Sequence, residues 1–182
     1  MQLNGTKVAI LATNGFEQSE LIQPRKALDE AGATTHIVSP ESGHIKGWHK
    51  DDWGDKVAVD RTLADASPAD YDALVLPGGV INPDLLRVND QALSFIRHFF
   101  QTDKPVGVIC HGCQTMITAG LVEGRTMTAY KAIKQDVINA GANWKDDSAV
   151  VDGNLVSSRK PDDLPDFCDT LVEVIARVDA AV

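Results

Sequence analysis

The residues best suited to covalent chemistry are Cys110 and His111, which directly follow the apolar run 106–109. A cysteine that ends a strand and begins a helix faces unpaired backbone amides and the positive end of the helix dipole, which favour thiolate over thiol. We therefore predict that Cys110 is a nucleophile with a lowered pKa. His111 is predicted to act as the general base or to position substrate, with a purely structural histidine as the alternative.

Two glycines are candidates for binding an oxyanion. Gly78 and Gly79 follow the apolar run 73–76 and Pro77, in a segment that can bend sharply and approach a ligand closely. Their amides, together with the N–H of His111, would form an oxyanion hole if they lie where negative charge develops. The alternative is that the two glycines only make a turn.

An acidic residue, Glu17, stands where the first predicted strand gives way to a helix. If its side chain points inward, burial would keep the carboxyl protonated and let it donate a hydrogen bond to the Cys110 thiolate. Alternatively, Glu17 and Glu20 are acidic only because carboxylates suit the first turn of a helix.

The elements that must position these residues alternate between strand and helix. Short apolar runs predict buried strands, and apolar residues at helical spacing separate several of them. This pattern predicts one α/β domain over residues 1–182, with a mostly parallel sheet covered on both faces. In such a sheet the segments 14–17, 77–79 and 110–112 follow strand ends and should converge. The strands are predicted at 8–13, 34–39, 73–76, 106–109, 126–129, 149–152 and 155–157, and the helices at 17–31, from 90, at 114–119, at 132–140 and from 161.

Composition excludes several partners. Acidic residues outnumber basic ones by 26 to 17, giving a net charge of −9, so no nucleic acid is expected as a partner. No apolar run approaches the roughly 20 residues of a membrane-spanning helix, so we expect no membrane association. The three cysteines predict free thiols in a reducing compartment, and no signal peptide is recognised, so we expect a cytoplasmic protein.

Four motifs in order resemble the PfpI/ThiJ family over nearly the whole chain, and most closely its branch of intracellular proteases and general stress proteins. The motifs are Gly15-Phe16-Glu17, Leu76-Pro77-Gly78-Gly79, Ile109-Cys110-His111-Gly112 and Val156-Ser157-Ser158-Arg159.

The resemblance implies a flavodoxin-like three-layer sandwich, a homodimer or higher homo-oligomer, and no cofactor. It implies Cys110 as nucleophile, Glu17 as its carboxylic partner, His111 as base, and Asp84 as the acidic residue that a neighbouring subunit places against the histidine. Relatives act as peptidases, as glyoxalases on methylglyoxal, or as deglycases on early glycation adducts. We therefore expect a stress-response enzyme whose substrate is a small carbonyl compound, a glycated group or a peptide.

Two other functions remain open. Cys110 and Cys113 form a CxxC pair, which is typical of thiol redox modules and sensors. Trp48 and Trp53 lie in an irregular segment and are predicted to cover a subunit contact, since aromatic residues are enriched at interfaces. The alternative is a holdase that binds unfolded chains through them. That segment also carries His44, His49, Asp51 and Asp52, but no compact ligand spacing recurs, and we predict no metal site.

Overall fold

The computed structural model describes residues 2–179 of the 182-residue chain. Its strands are β1 (Lys7–Leu11), β2 (Phe16–Glu17), β3 (Thr34–Ser39), β4 (His44–His49), β5 (Asp52–Ala58), β6 (Arg61–Thr62), β7 (Ala73–Leu76), β8 (Val106–Ile109), β9 (Thr126–Met127), β10 (Asn143–Trp144), β11 (Ala149–Asp152) and β12 (Leu155–Ser158). Its α-helices are α1 (Gln18–Glu30), α2 (Ile81–Leu86), α3 (Asp90–Gln101), α4 (Cys113–Ala119), α5 (Lys134–Asn139) and α6 (Leu164–Asp179). Short 3₁₀ helices cover Pro68–Asp70, Cys110–Gly112, Lys131–Ile133 and Pro161–Asp163.

The central sheet has seven strands in the order β11-β12-β8-β7-β1-β3-β6. All neighbours pair in parallel except β11, which forms an antiparallel hairpin with β12. The parallel strands β3-β1-β7-β8-β12 follow the flavodoxin-like order, in which the chain reverses direction across the sheet between β1 and β7. The predicted three-layer α/β fold is therefore confirmed.

Alternate residues along the strands pack in two separate hydrophobic cores, one on each face of the sheet. Val8 and Ile10 of β1 pack on one face with apolar residues of α1 and α6, whereas Ala9 and Leu11 pack on the other face with α3 and α4. Strands covered on both faces read as continuous apolar runs, and this is why β1, β7 and β8 were visible in the sequence.

The carboxyl ends of β1, β7 and β8 meet at one edge of the sheet, because all three strands run in the same direction. The segments 12–15, 77–80 and 110–112 leave the sheet there. Parallel pairing thus brings together groups that stand about 30 and 60 residues apart in the sequence.

Several details differ from the sequence-based expectation. The strand expected at 126–129 is only two residues long and pairs with β10 outside the central sheet. The irregular segment that carries Trp48 and Trp53 forms a hairpin of β4 and β5, and this hairpin joins β2 in a separate three-stranded sheet. Helix α2 was not predicted, since six residues are too few for helical periodicity to show. No helix within residues 2–179 is long and apolar enough to cross a membrane.

Candidate active site

Cys110 lies on a sharp strand-to-helix turn. Its φ is +60°, in the left-handed region that a non-glycine residue adopts only at a cost of about 1–3 kcal/mol. This backbone directs the side chain toward the loop after β7, and the amides of His111 and Gly79 donate to the sulfur. Cys110 is 7% exposed, so only a small part of this reactive residue is accessible to solvent.

The turn requires glycine at Gly112. A Cβ built there would lie 2.6 Å from the carbonyl oxygen of Leu76 and 2.9 Å from that of Pro77. These distances are shorter than any ordinary contact, and the opposing atoms are backbone. The turn around Cys110 can therefore pack against the end of β7 only because residue 112 has no side chain.

The carboxyl group beside Cys110 belongs to Glu20, not to Glu17 as the sequence-based interpretation expected. Glu20 is fully buried on α1, and its Oε2 accepts a 2.8 Å hydrogen bond from the N–H of Gly78. The carboxyl also interacts with the Cys110 side chain. Glu17 instead is partly exposed and accepts a hydrogen bond from the Ser19 hydroxyl at 3.2 Å.

Helical periodicity explains this correction. Glu20 lies four residues before Pro24 and eight before Leu28, so all three project from the buried face of α1. Glu17 precedes the helix in extended conformation and lies outside this stripe. The signal was therefore present in the sequence as the spacing of Glu20 from the apolar residues.

The Gly78 amide was expected to donate to an oxyanion, but its N–H already donates to the Glu20 carboxyl. Gly78 has a different role: a Cβ there would lie 2.5 Å from Glu20 Oε2 and 2.8 Å from the Cβ of Cys110. Its lack of a side chain lets carboxyl and cysteine come together. Of the three amides predicted for an oxyanion hole, those of Gly79 and His111 point at the sulfur.

Burial raises the pKa of Glu20 to about 8, so the carboxyl is protonated at neutral pH. Since Oε2 accepts from Gly78, the proton belongs on Oε1, which is buried and has no partner in ordinary hydrogen-bond geometry. An ionised Cys110 sulfur beside the carboxyl would supply an acceptor for it.

The pKa of the Cys110 thiol differs from the sequence-based expectation. Burial raises its pKa, while the His111 and Gly79 amides act in the opposite direction. The helix-start argument predicted a lowered pKa because it counted the amides and omitted desolvation. In the resting site the sulfur is a thiol, which must transfer its proton before it attacks.

His111 is placed to take that proton. Its Nδ1 lies 3.3 Å from the Cys110 sulfur, and its ring stacks on Tyr130 with centroids 4.9 Å apart. Partial burial lowers the pKa of His111 and favours the neutral imidazole, the form that accepts a proton. Tyr130 is fixed in turn by its N–H, which donates to the Cys110 carbonyl at 3.3 Å.

Asn82 ties the loops of the site together. Its buried amide accepts from the Thr13 N–H at 2.8 Å and donates to the carbonyls of Pro77 and Gly78 at 3.0 and 3.1 Å. It thereby joins the end of β1 to the loop after β7. Sequence reasoning missed Asn82, because an asparagine in a short unpredicted helix carries no local signal of burial.

Two predicted residues lie away from the sulfur. Asp84 is exposed on α2. Cys113 is buried and packs in the core on the α3 and α4 face of the sheet, whereas Cys110 packs on the α1 and α6 face. Within residues 2–179, no cluster of three or more His, Cys, Asp or Glu side chains is arranged to hold a metal ion.

The chain is similar over most of its length to known proteins. The chain is 44% identical over 162 residues to "Putative cysteine protease YraA" of Bacillus subtilis, covering 88% of this chain and 93% of that protein. It is 49% identical over 158 residues to "Deglycase PH1704" of Pyrococcus horikoshii, covering 87% and 92%.

Among solved structures, a two-domain protein of Anabaena variabilis with DJ-1/ThiJ/PfpI-like and ferritin-like domains superposes with a TM-score of 0.88 at 34% identity. The match covers 94% of this chain and 48% of that one, so the chain spans about half of the two-domain protein. The sequence profile of the DJ-1/PfpI family matches residues 6–174. The chain belongs to the DJ-1/PfpI family.

Proposed function

We propose that the protein is a cysteine-dependent enzyme that acts on small reactive carbonyl compounds and on the adducts they form with amines or thiols. The observation that carries the proposal is the convergence of His111 Nδ1, the Glu20 carboxyl and two backbone amides on one sulfur. Relatives named deglycases and a relative named a cysteine protease both support cysteine chemistry. The low exposure of Cys110 favours a small carbonyl over an extended peptide.

The proposed reaction is redox-neutral and needs only water. Neutral His111 accepts the Cys110 proton as the sulfur adds to the aldehyde carbon, forming a C–S bond and placing negative charge on the former carbonyl oxygen. Once the sulfur is bonded to carbon it is a poor acceptor, so the amides of Gly79 and His111 that faced it can donate to that oxygen instead. Protonated Glu20 supports the sulfur by hydrogen bonding before the attack.

A proton then shifts from the former aldehyde carbon to the neighbouring ketone carbon, which gives a lactoyl thioester that water hydrolyses to lactate and the free Cys110 thiol. With an adduct, the sulfur instead displaces the amine or thiol from the same carbon, and the leaving group takes the proton that His111 accepted. Overall, methylglyoxal plus water gives lactate, and an adduct plus water gives lactate and the free amine or thiol.

Thiol redox chemistry is less well supported. A resolving cysteine must reach the sulfur it attacks, and Cys113 is buried in the other core. Burial also raises its pKa to about 12, so it is a poor source of thiolate.

We also retain the prediction of a homo-oligomer in which Asp84 meets His111 of a neighbouring subunit. Exposed apolar side chains lie near Asp84 in the sequence, among them Leu85 on α2 and Val88 just after it, the latter 80% exposed. Such a patch favours a subunit contact at this place. Sedimentation velocity tests the association.

The decisive experiment measures methylglyoxal loss and lactate formation by the wild type and by Cys110→Ala. We expect turnover to fall at least about 100-fold in Cys110→Ala, because no other group in the site can form the C–S bond. Cys168→Ala, a buried cysteine on α6, is the matched control and should retain activity. Equal rates in the wild type and Cys110→Ala would overturn the proposal.

A further inference from the structure

A pocket of about 580 Å³ opens beside the candidate active site. Cations dominate its lining although the whole chain carries a net charge of −9. The lining residues are Ala129, Tyr130, Lys131, Lys134, Trp144, Asp146, Arg159 and Lys160.

The stacked rings of His111 and Tyr130 lie between the reacting sulfur and the pocket. His111 Nδ1 is 3.3 Å from the sulfur, and the Tyr130 ring that stacks on His111 also lines the pocket. A substrate held at the sulfur beside His111 therefore lies next to Tyr130, the ring that the site and the pocket share. Methylglyoxal alone has three carbons and is far smaller than this volume.

Some charged side chains of the pocket already form ion pairs within the protein, and others do not. Arg159 donates to both oxygens of Asp163 at 2.8 and 3.0 Å and to Asp146 at 2.8 Å, so Arg159 and Asp146 largely cancel each other. Lys160 pairs with Asp162 at 3.0 Å.

Lys131 and Lys134 have no carboxylate partner among residues 2–178, whose side chains are described. Lys134 instead lies over the Trp144 ring, 5.6 Å from its centroid, which fixes the ammonium at the wall of the pocket. Two ammonium groups thus remain available for an external anion.

We propose that this pocket binds a carboxylate of the substrate, so that the preferred substrates are carbonyl adducts of small thiols or amines that carry a carboxylate. Lys131 and Lys134 pair with the carboxylate, and Trp144 and Tyr130 cover the intervening methylenes. This inference rests on the proposed function for its chemistry, and it names the class of adduct that the site selects.

The test compares two substrates that differ only in charge: the hemithioacetals of methylglyoxal with 3-mercaptopropionate and with 3-mercaptopropionamide. Water converts each to lactate and the free thiol. We expect kcat/KM to favour the anionic adduct in the wild type. Lys131→Gln and Lys134→Gln should each reduce kcat/KM for that adduct about 5-fold, as one ion pair of about 1 kcal/mol predicts, and leave the neutral adduct unchanged.

Two control variants isolate the role of charge. Lys131→Arg and Lys134→Arg keep the positive charge and should preserve the preference. Lys7→Gln removes an exposed lysine at the amino end of β1, the opposite edge of the sheet, and should change neither substrate. Equal kcat/KM for the two adducts in the wild type, or equal losses for both in the glutamine variants, would overturn the proposal.

A binding measurement separates this inference from the proposed function. In a Trp48→Phe/Trp53→Phe background the fluorescence of Trp144 is titrated with 3-(methylthio)propionate and with its amide. Saturable change with the carboxylate alone, weakened by Lys131→Gln/Lys134→Gln, supports the pocket even if neither adduct is turned over. No saturable change with the carboxylate, or the same change with the amide, would contradict it.

Discussion

At the scale of single residues, the site depends on the placement of one proton between Glu20 and Cys110. A buried carboxyl that stays neutral can hydrogen-bond to a developing thiolate without adding a second negative charge. Glu20 fulfils this condition, because its pKa is raised to about 8 and one of its oxygens is already held by Gly78.

Glu20→Gln should change how stability depends on pH. The wild-type carboxyl has a pKa near 4.5 when unfolded and about 8 when folded. Between these values the folded state binds more protons, so the wild type loses stability as pH rises from about 4.5 to 8, by on the order of 4 kcal/mol, and then levels off. Gln cannot ionise and still offers an oxygen to the Gly78 N–H.

Urea denaturation from pH 5 to 8.5 measures this effect as the difference in unfolding free energy between Glu20→Gln and the wild type. That difference should shift in favour of the variant as pH rises. A flat difference for Glu20→Gln would mean that Glu20 is ionised in the native protein at neutral pH.

At the scale of elements, the ends of strands were more predictable than the directions of side chains. Cys110 and Gly79 follow apolar runs, and such runs mark buried parallel strands whose carboxyl ends share an edge. The choice between Glu17 and Glu20 depended on where α1 begins and which of its faces is buried. Element boundaries are the least certain feature of a sequence-based interpretation, and an error of a few residues there exchanges one carboxylate for another.

Some features of the site had no local signal at all. The use of the Gly78 amide by Glu20 joins residues 58 positions apart, and Asn82 connects two loops from a helix too short to predict. The desolvation that raises the Cys110 pKa follows from packing of α1 and the β7 loop around the sulfur. These properties arise only when the elements assemble.

Gly112→Ala tests the fit of the turn against the end of β7. The added methyl would meet two backbone carbonyls at 2.6 and 2.9 Å, so we expect destabilisation by about 1–3 kcal/mol and a displaced Cys110. Activity per folded molecule should therefore fall at least about 10-fold, as methylglyoxal turnover and chemical denaturation measured together would show.

Gly120→Ala is the matched control for that variant. Gly120 ends α4 with φ +74° and has open space around its Cβ position, so alanine costs about 1–2 kcal/mol of backbone strain without steric overlap. It should lower stability and preserve activity. If Gly112→Ala also kept full activity per folded molecule, the close approach of the turn to β7 would not be what positions the sulfur.

At the scale of the whole molecule, the two cysteines of the CxxC motif pack in different hydrophobic cores. The motif alone cannot distinguish a redox pair from a nucleophile beside a core residue. A spacing of three residues is close to one helical turn, so either case would place the two cysteines near each other. The structure assigns Cys110 to the core under α1 and α6 and Cys113 to the core under α3 and α4. Which core each side chain enters depends on the left-handed turn at Cys110, a feature of the assembled fold.

Peroxide should oxidise Cys110, whose proton His111 can accept, without forming an intramolecular disulfide with Cys113. Oxidation of a thiol to a sulfenic acid consumes one peroxide, releases water and adds one oxygen, whereas a disulfide removes two hydrogens. Intact mass spectrometry should show addition of oxygen in the wild type and in Cys113→Ala alike, and no addition at this site in Cys110→Ala. Loss of two hydrogens in the wild type that disappears in Cys113→Ala would show that Cys113 reaches the Cys110 sulfur, and the thiol redox function would then replace carbonyl chemistry as the better explanation of the motif.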